Sequence, residues 1–305
     1  MPYLPDRPVD ERASLRALEA GGLPFRAQRR LAELATPGHQ VFSSTLTPAE
    51  SVVARATGLS PISQVMGASV MHVGWSAQST MTASGYELIS LTVAHETARR
   101  RALARMLEEA KLLRAHVVVG VKYVERPLEW GEELVEVMVT GTAMRVAGFP
   151  DTDAPPLTLL DADELWKLHQ AGYWPVAIAM GNCYWFEPHC DCQADGSIFS
   201  GPLPMHTNAV RQARALATER FRGFAAHFHA AGVVGVKVRR HAHGHHHDGH
   251  SRFHVEILLL GTAVVRRGTA EPPHKPMIVM DLAGVPGRKA QLAERRRKIL
   301  RRHRP

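Results

Sequence analysis

The sequence predicts an α+β protein made of two tandem β-α-β-β domains after a short helical N-terminal region. Each domain is expected to pack one long helix on a three-stranded antiparallel sheet. Three observations carry this expectation. Blocks of the first half return in the second half in the same order. Each half has one long stretch of helical spacing, and each then has two β-rich runs close enough to pair as a hairpin.

The repeat is the strongest of the three. Residues 47–69, TPAESVVARATGLSPISQVMGAS, align without gaps to residues 161–183, DADELWKLHQAGYWPVAIAMGNC. Identities at Glu50/Glu164, Gly58/Gly172, Pro61/Pro175, Met66/Met180 and Gly67/Gly181 share an offset of 114. Ala98, Arg99, Ala102 and Arg105 match Ala213, Arg214, Ala217 and Arg220 at an offset of 115, and so does VVGVK at 118–122 with 233–237. GTA at 141–143 returns at 261–263, an offset of 120. Blocks that keep their order in this way define a tandem duplication.

Each element has its own local reason. Residues 10–36 carry Leu15, Leu18, Leu31 and Leu34 at helical spacing, and GGLP at 21–24 breaks them into two short helices. Thr47, Pro48 and Glu50 form a helix start: a capping hydroxyl, a proline at the first helical position and a carboxylate at the third. Residues 62–73 alternate as a strand. Residues 86–113 place Leu91, Ala94, Ala98, Ala102, Met106, Ala110 and Leu113 on one face of a helix. VVVGVKY at 117–123 and ELVEVMVTGTAM at 133–144 follow as a hairpin, with Gly120, like Gly235 in the second copy, marking a bulge or a close backbone approach. The expected organisation is a helical region at 1–59, a first domain at 60–146, a linker with a helix at 147–172, a second domain at 173–266 and a basic tail at 267–305. One helix per sheet leaves a sheet face and strand edges to cover, which favours oligomers.

Bulk properties exclude several classes. With 45% hydrophobic and 22% charged residues over 305 positions, the chain buries real cores. No apolar run is long enough to span a membrane and no secretory pattern opens the chain, so a cytoplasmic protein is expected. Three cysteines make no disulfide framework. Residues 288–305 hold nine Lys/Arg against one acid, Glu294, which equals the whole net charge of +8. The body is therefore near neutral. The tail offers at most a non-specific contact with nucleic acid or an anionic membrane. Nothing reads as a phosphate loop, an activated nucleophile or a dinucleotide fingerprint, so the protein is expected not to be an enzyme.

GVVGVKV, the GTA that closes the last strand, the MGAS/MGNC after the first strand and the Ala/Arg-rich helix together resemble the YbjQ-like family of heavy-metal-binding proteins. The resemblance covers roughly residues 60–146 and 173–266. It implies a dodecin-like β-α-β-β subunit and association into rings, commonly pentamers. It brings no catalytic residues.

The metal candidates fall in the second copy. The five residues that lengthen its hairpin coincide with a histidine segment: His241, His243, His245, His246, His247, His250 and His254, seven of the chain's eighteen histidines. Neutral imidazoles suit Zn, Ni, Co or Cu, and a glycine-containing loop would let several converge. In an extended strand His241, His243 and His245 would share a side and could meet His254 and Glu256 across the hairpin. His189, Cys190 and Cys192 form a second candidate, a Cys-x-Cys beside an imidazole that suits a soft metal. Cys183, aligned with Ser69, reads as a small buried residue. His72, His95 and His116 have no clustered partners and read as ordinary core or surface histidines. Trp130, Trp174 and Trp185 read as packing or subunit contacts. The expected function is a non-enzymatic, oligomeric transition-metal-binding protein that uses the histidine loop. The alternative is a ring-forming scaffold that reaches a membrane, nucleic acid or protein through its basic tail.

Overall fold

Helix ends fall where the chain supplies caps and breaks. The computed structural model describes residues 8–35, 43–72, 84–127, 134–188, 203–247 and 250–267. α1 (Pro8–Glu19) and α2 (Phe25–Ala35) are separated at the Gly-Gly-Leu-Pro stretch. α3 (Pro48–Ala56) starts at Thr47, whose hydroxyl accepts from the Glu50 amide while the Glu50 carboxylate accepts from the Thr47 amide. β1 (Leu59–His72), β2 (Tyr86–Glu87), α4 (Ile89–Leu112), β3 (Val117–Pro127) and β4 (Leu134–Val146) follow. The second copy supplies α5 (Ala162–Gln170), β5 (Tyr173–Glu187), α6 (Pro204–His227), β6 (Gly232–His247) and β7 (His250–Arg266). α5 repeats the capping box of α3 with Asp161 and Glu164.

Both sheets are antiparallel, in the orders β1-β4-β3 and β2-β5-β7-β6. The fourth strand of the second sheet is lent by the first copy, as Tyr86 pairs with Phe186 and Glu87 with Trp185. On the helix side of the first sheet, Val65, Val137, Val139 and Ala143 pack with Ala98, Ala102, Met106 and Ala110. In the second, Ala179, Cys183, Ile257 and Leu259 pack with Ala213, Ala217 and Phe221, so Cys183 is buried as its alignment implies. The repeated Met-Gly pair has a steric cause. A Cβ on Gly67 would collide with the carbonyl oxygen of Ala102, and one on Gly181 with that of Ala217. Each helix backbone lies directly on its strand at that point. Gly120 and Gly235 sit in the left-handed region, both at φ 61°, where β3 and β6 bulge.

The two copies stack. The back face of the second sheet contributes Ile178, Met180, Leu258 and Leu260 to the same cluster as Val121 and Tyr123 of the first copy. The outer edge of β3 accepts the 156–160 segment by backbone hydrogen bonds: Val118 N to Pro156 O at 2.9 Å, Thr158 N to Val118 O at 2.9 Å, Val121 N to Thr158 O at 3.0 Å and Gly120 N to Leu160 O at 2.8 Å. Trp174 is buried and stacks on Phe149 with ring centroids 4.3 Å apart. Among the described residues no helix is long and apolar enough to cross a membrane.

The histidine segment departs from the expected loop. Its backbone continues the ladder, with His241 opposite Glu256, His243 opposite His254, His245 opposite Arg252, His246 opposite Ser251 and His247 opposite His250. The register set upstream by the VKVRR and EILLL runs propagates because no proline interrupts it. Trp130 and the basic tail at 288–305 lie outside the described residues.

Candidate metal centre

Titratable side chains from both copies meet where the copies stack. His95 and Arg99 lie one turn apart on α4, four residues being the spacing that puts two side chains on one helix face. Glu125 comes from β3, Tyr184 from β5 and Glu256 from β7. His95 Nδ1 lies 2.7 Å from Glu125 Oε1 and 2.8 Å from the Tyr184 hydroxyl, with the His95 and Tyr184 ring centroids 4.4 Å apart. Glu256 on β7 is the neighbouring carboxylate of the Tyr184 phenol.

Arg99 joins the two carboxylates. Its Nη2 donates to Glu125 Oε2 at 2.8 Å and to Glu256 Oε1 at 2.5 Å, and its Nε donates to Glu125 Oε2 at 3.1 Å. Burial opposes the charged guanidinium, but Glu125 and Glu256 hold its pKa above the ordinary arginine value. Burial likewise opposes the Glu125 carboxylate, and the bonds from His95 and Arg99 outweigh it, leaving that pKa below the usual range. Burial and the neighbouring Glu256 push the Tyr184 phenol up. Two carboxylates, one guanidinium and the His95 imidazole thus share the seam, a setting that attracts a cation.

His95, Glu125 and Glu256 can supply the site for one. One ligand atom from each lies within 4.8 Å of the others, and an imidazole with two carboxylates is a donor set that divalent transition metals accept. A second polar knot braces the cluster from one side. Glu87 holds Arg220 by two bonds of 2.6 and 2.8 Å and accepts from Thr92 at 2.9 Å. Thr92 in turn accepts from the Tyr184 amide at 3.0 Å and from the Asn182 side chain at 3.0 Å. The Cys183 thiol beside Glu87 is pushed up to about 12, chiefly by burial, and stays protonated at neutral pH. A cleft of about 760 Å³ between α4 and α6 is lined mainly by apolar side chains such as Leu103, Leu107, Met180 and Phe224, with Glu96, Arg100, Arg220 and His227 among them.

Of the histidine candidates, His241 is exposed on β6, and His254 is half-buried on β7 with its ring 4.8 Å from Phe186. His243, His245, His246, His247 and His250 occupy the ladder positions given above. His189, Cys190 and Cys192 lie outside the described residues. His95 has the clustered partners that the sequence reading denied it, and Glu125 and Tyr184 went unmarked in the sequence. The signal available for them was the difference between the copies, since the repeat offsets put Val210, Arg240 and Val70 at their positions.

Fold and cluster together define a duplicated α+β protein with a nitrogen–oxygen donor set at its internal seam. Residues 50–147 match the YbjQ family, described as "Putative heavy-metal-binding". The Mycobacterium tuberculosis protein named Encapsulin nanocompartment protein Rv1762c is 35% identical over 242 residues, covering 75% of this chain and 88% of its own. The Thermus thermophilus protein named UPF0145 protein TTHA1944 is 45% identical over 65 residues, 21% of this chain and 55% of its own. The chain belongs to the YbjQ-like family. No solved structure matches it.

Proposed function

We propose that this protein binds a transition metal (Zn, Ni, Co or Cu) at the seam between its two copies, through His95, Glu125 and Glu256. The observation that carries the reading is the convergence of three ligand atoms from both copies within 4.8 Å. The family description supports metal binding in general terms. The histidine ladder extends the site outward. His241 stands opposite Glu256 on the ladder, beside the cluster, and the ladder positions of His243 and His245 follow it along β6. In this reading His241, His243, His245, His246, His247, His250 and His254 capture the ion. His189, Cys190 and Cys192 are further soft donors on the same copy. The role is non-enzymatic and exercised in an oligomer, and the nanocompartment named for the Mycobacterium tuberculosis relative supports work within an assembly. The proposed domains run from 60 to 146 and from 173 to 266.

Zinc and cobalt titration of tag-free protein tests this. Wild type is compared with Glu256→Gln and with a form whose His243, His245, His246 and His247 are all replaced by serine. The expected result is one tight site per chain that Glu256→Gln removes and the serine form retains with slower loading. Tight binding that survives Glu256→Gln and vanishes in the serine form would overturn the seam site and leave the metal on the hairpin.

A further inference from the structure

The cleft between α4 and α6 has walls that do not follow the repeat. α4 lines it with Leu103 and Leu107, and the offset of 115 puts Thr218 and Arg222 at these places on α6. α6 lines it with Gly223 and Phe224, whose first-copy counterparts on α4 are Glu108 and Glu109. Positions that are polar in one copy are thus apolar or bare in the other, and they are so on the two faces that look at each other across the cleft.

Mutual packing would be the plain cause of such a change, but the walls do not close. About 760 Å³ lies between them, a volume that takes one small organic molecule. Ile178 and Met180 on the back of β5 contribute buried apolar lining, while Leu103, Leu107 and Phe224 stay half-buried and Phe228 is 38% exposed. Apolar surface left facing water is unfavourable, and an apolar occupant would relieve it.

Gly223 marks the room most directly. A glycine inside a helix costs stability, and neither of the usual reasons for accepting that cost applies here. Its φ is not positive, and a Cβ would meet no atom within 4 Å, whereas one on Gly181, which also lines the cleft, would collide with the Ala217 carbonyl. What the missing side chain leaves at Gly223 is space in the cleft wall.

The polar groups of the cleft say what the other end of the occupant must be. Arg220 is held by Glu87 and by the Asn182 carbonyl. Glu96 accepts from Arg100 Nε at 2.9 Å and Nη2 at 2.6 Å. Arg100 also lies over Phe224, its guanidinium carbon 5.6 Å from the ring centroid, and its Nη1 makes no hydrogen bond among the described residues. The polar group left unused beside the apolar lining is therefore a cationic donor, which an anionic acceptor matches in charge and in hydrogen bonding. From Arg100 to Leu107 the α4 wall runs about 10 Å, the reach of a chain of medium length.

We infer that this cleft binds a linear apolar carboxylate of the medium-chain fatty-acid class, its chain lying along Leu103, Leu107, Met180 and Phe224 and its carboxylate accepting from Arg100. The site is distinct from the His95 cluster and needs no metal.

Calorimetric titration of the full chain with decanoate, in buffer freed of metal by chelation, tests this independently of any ion at the seam. Decanol supplies the same chain without the charge. One saturable decanoate site per chain is expected, with decanol at least tenfold weaker, the loss of one charge-assisted hydrogen bond. Gly223→Phe fills the cleft from the α6 wall and Ala104→Phe from the α4 wall. Each should weaken decanoate roughly tenfold or more while circular dichroism shows the chain folded. Arg100→Gln should bring decanoate down to the level of decanol. No saturable decanoate binding, binding indifferent to both filling variants, or decanol as tight as decanoate would each overturn the inference.

Discussion

Arg99 has no exposed surface and holds two carboxylates, one from each copy, so its removal leaves Glu125 and Glu256 buried without a cation. Arg99→Met is therefore expected to cost about 3–5 kcal/mol in urea unfolding. Acid should act on the same contact. Glu125 titrates below its ordinary value of 4.5 in the folded chain, so its stabilisation is complete above that value. It is lost as pH falls from there through the lower folded value. Melting temperature followed down through that window should drop for wild type, and the drop should shrink in Glu125→Gln. Arg99 was visible in the sequence as a repeat identity with Arg214, and Glu256 as a residue facing the histidines. Their meeting was not legible, because Arg99 stands 26 residues from Glu125 and 157 from Glu256. Separations like these leave no periodic trace. His95 accordingly read as an ordinary histidine until the stacking of the copies was known.

At the scale of elements, the places where helix backbone rests on strand backbone are the least tolerant. Gly67→Ala and Gly181→Ala each push a methyl into a helix carbonyl and should lose about 3 kcal/mol, measured by denaturant midpoint. The Ala102 and Ala217 side keeps that approach possible, and this is why small residues recur along both helices. Helices, long strands and caps were readable because each follows a local rule of spacing or end chemistry. β2 and the 156–160 segment were not. Both are recognised by backbone bonds to a distant edge, and such bonds ask nothing of side-chain pattern. The histidine insertion misled for a related reason. Its composition suits a loop, but the register inherited from the strands on either side fixes its backbone as ladder.

Across the whole molecule, the two copies have the same fold and unequal surroundings. Val121→Asp places a charge in the internal seam and should destabilise the folded chain by about 3 kcal/mol or more. Val236→Asp, at the equivalent but exposed place, should leave the stability of the chain within about half a kcal/mol of wild type. Thermal melts of the pair separate the two cases. The duplication was legible in the sequence, but which copy buries which face was not, since identical blocks carry no record of their neighbours. That inequality has an arithmetical consequence. Two copies supply one His95 cluster, because the second copy carries Val210 and Arg240 at the places of His95 and Glu125. Any ion held at the seam is therefore capped at one for every two copies.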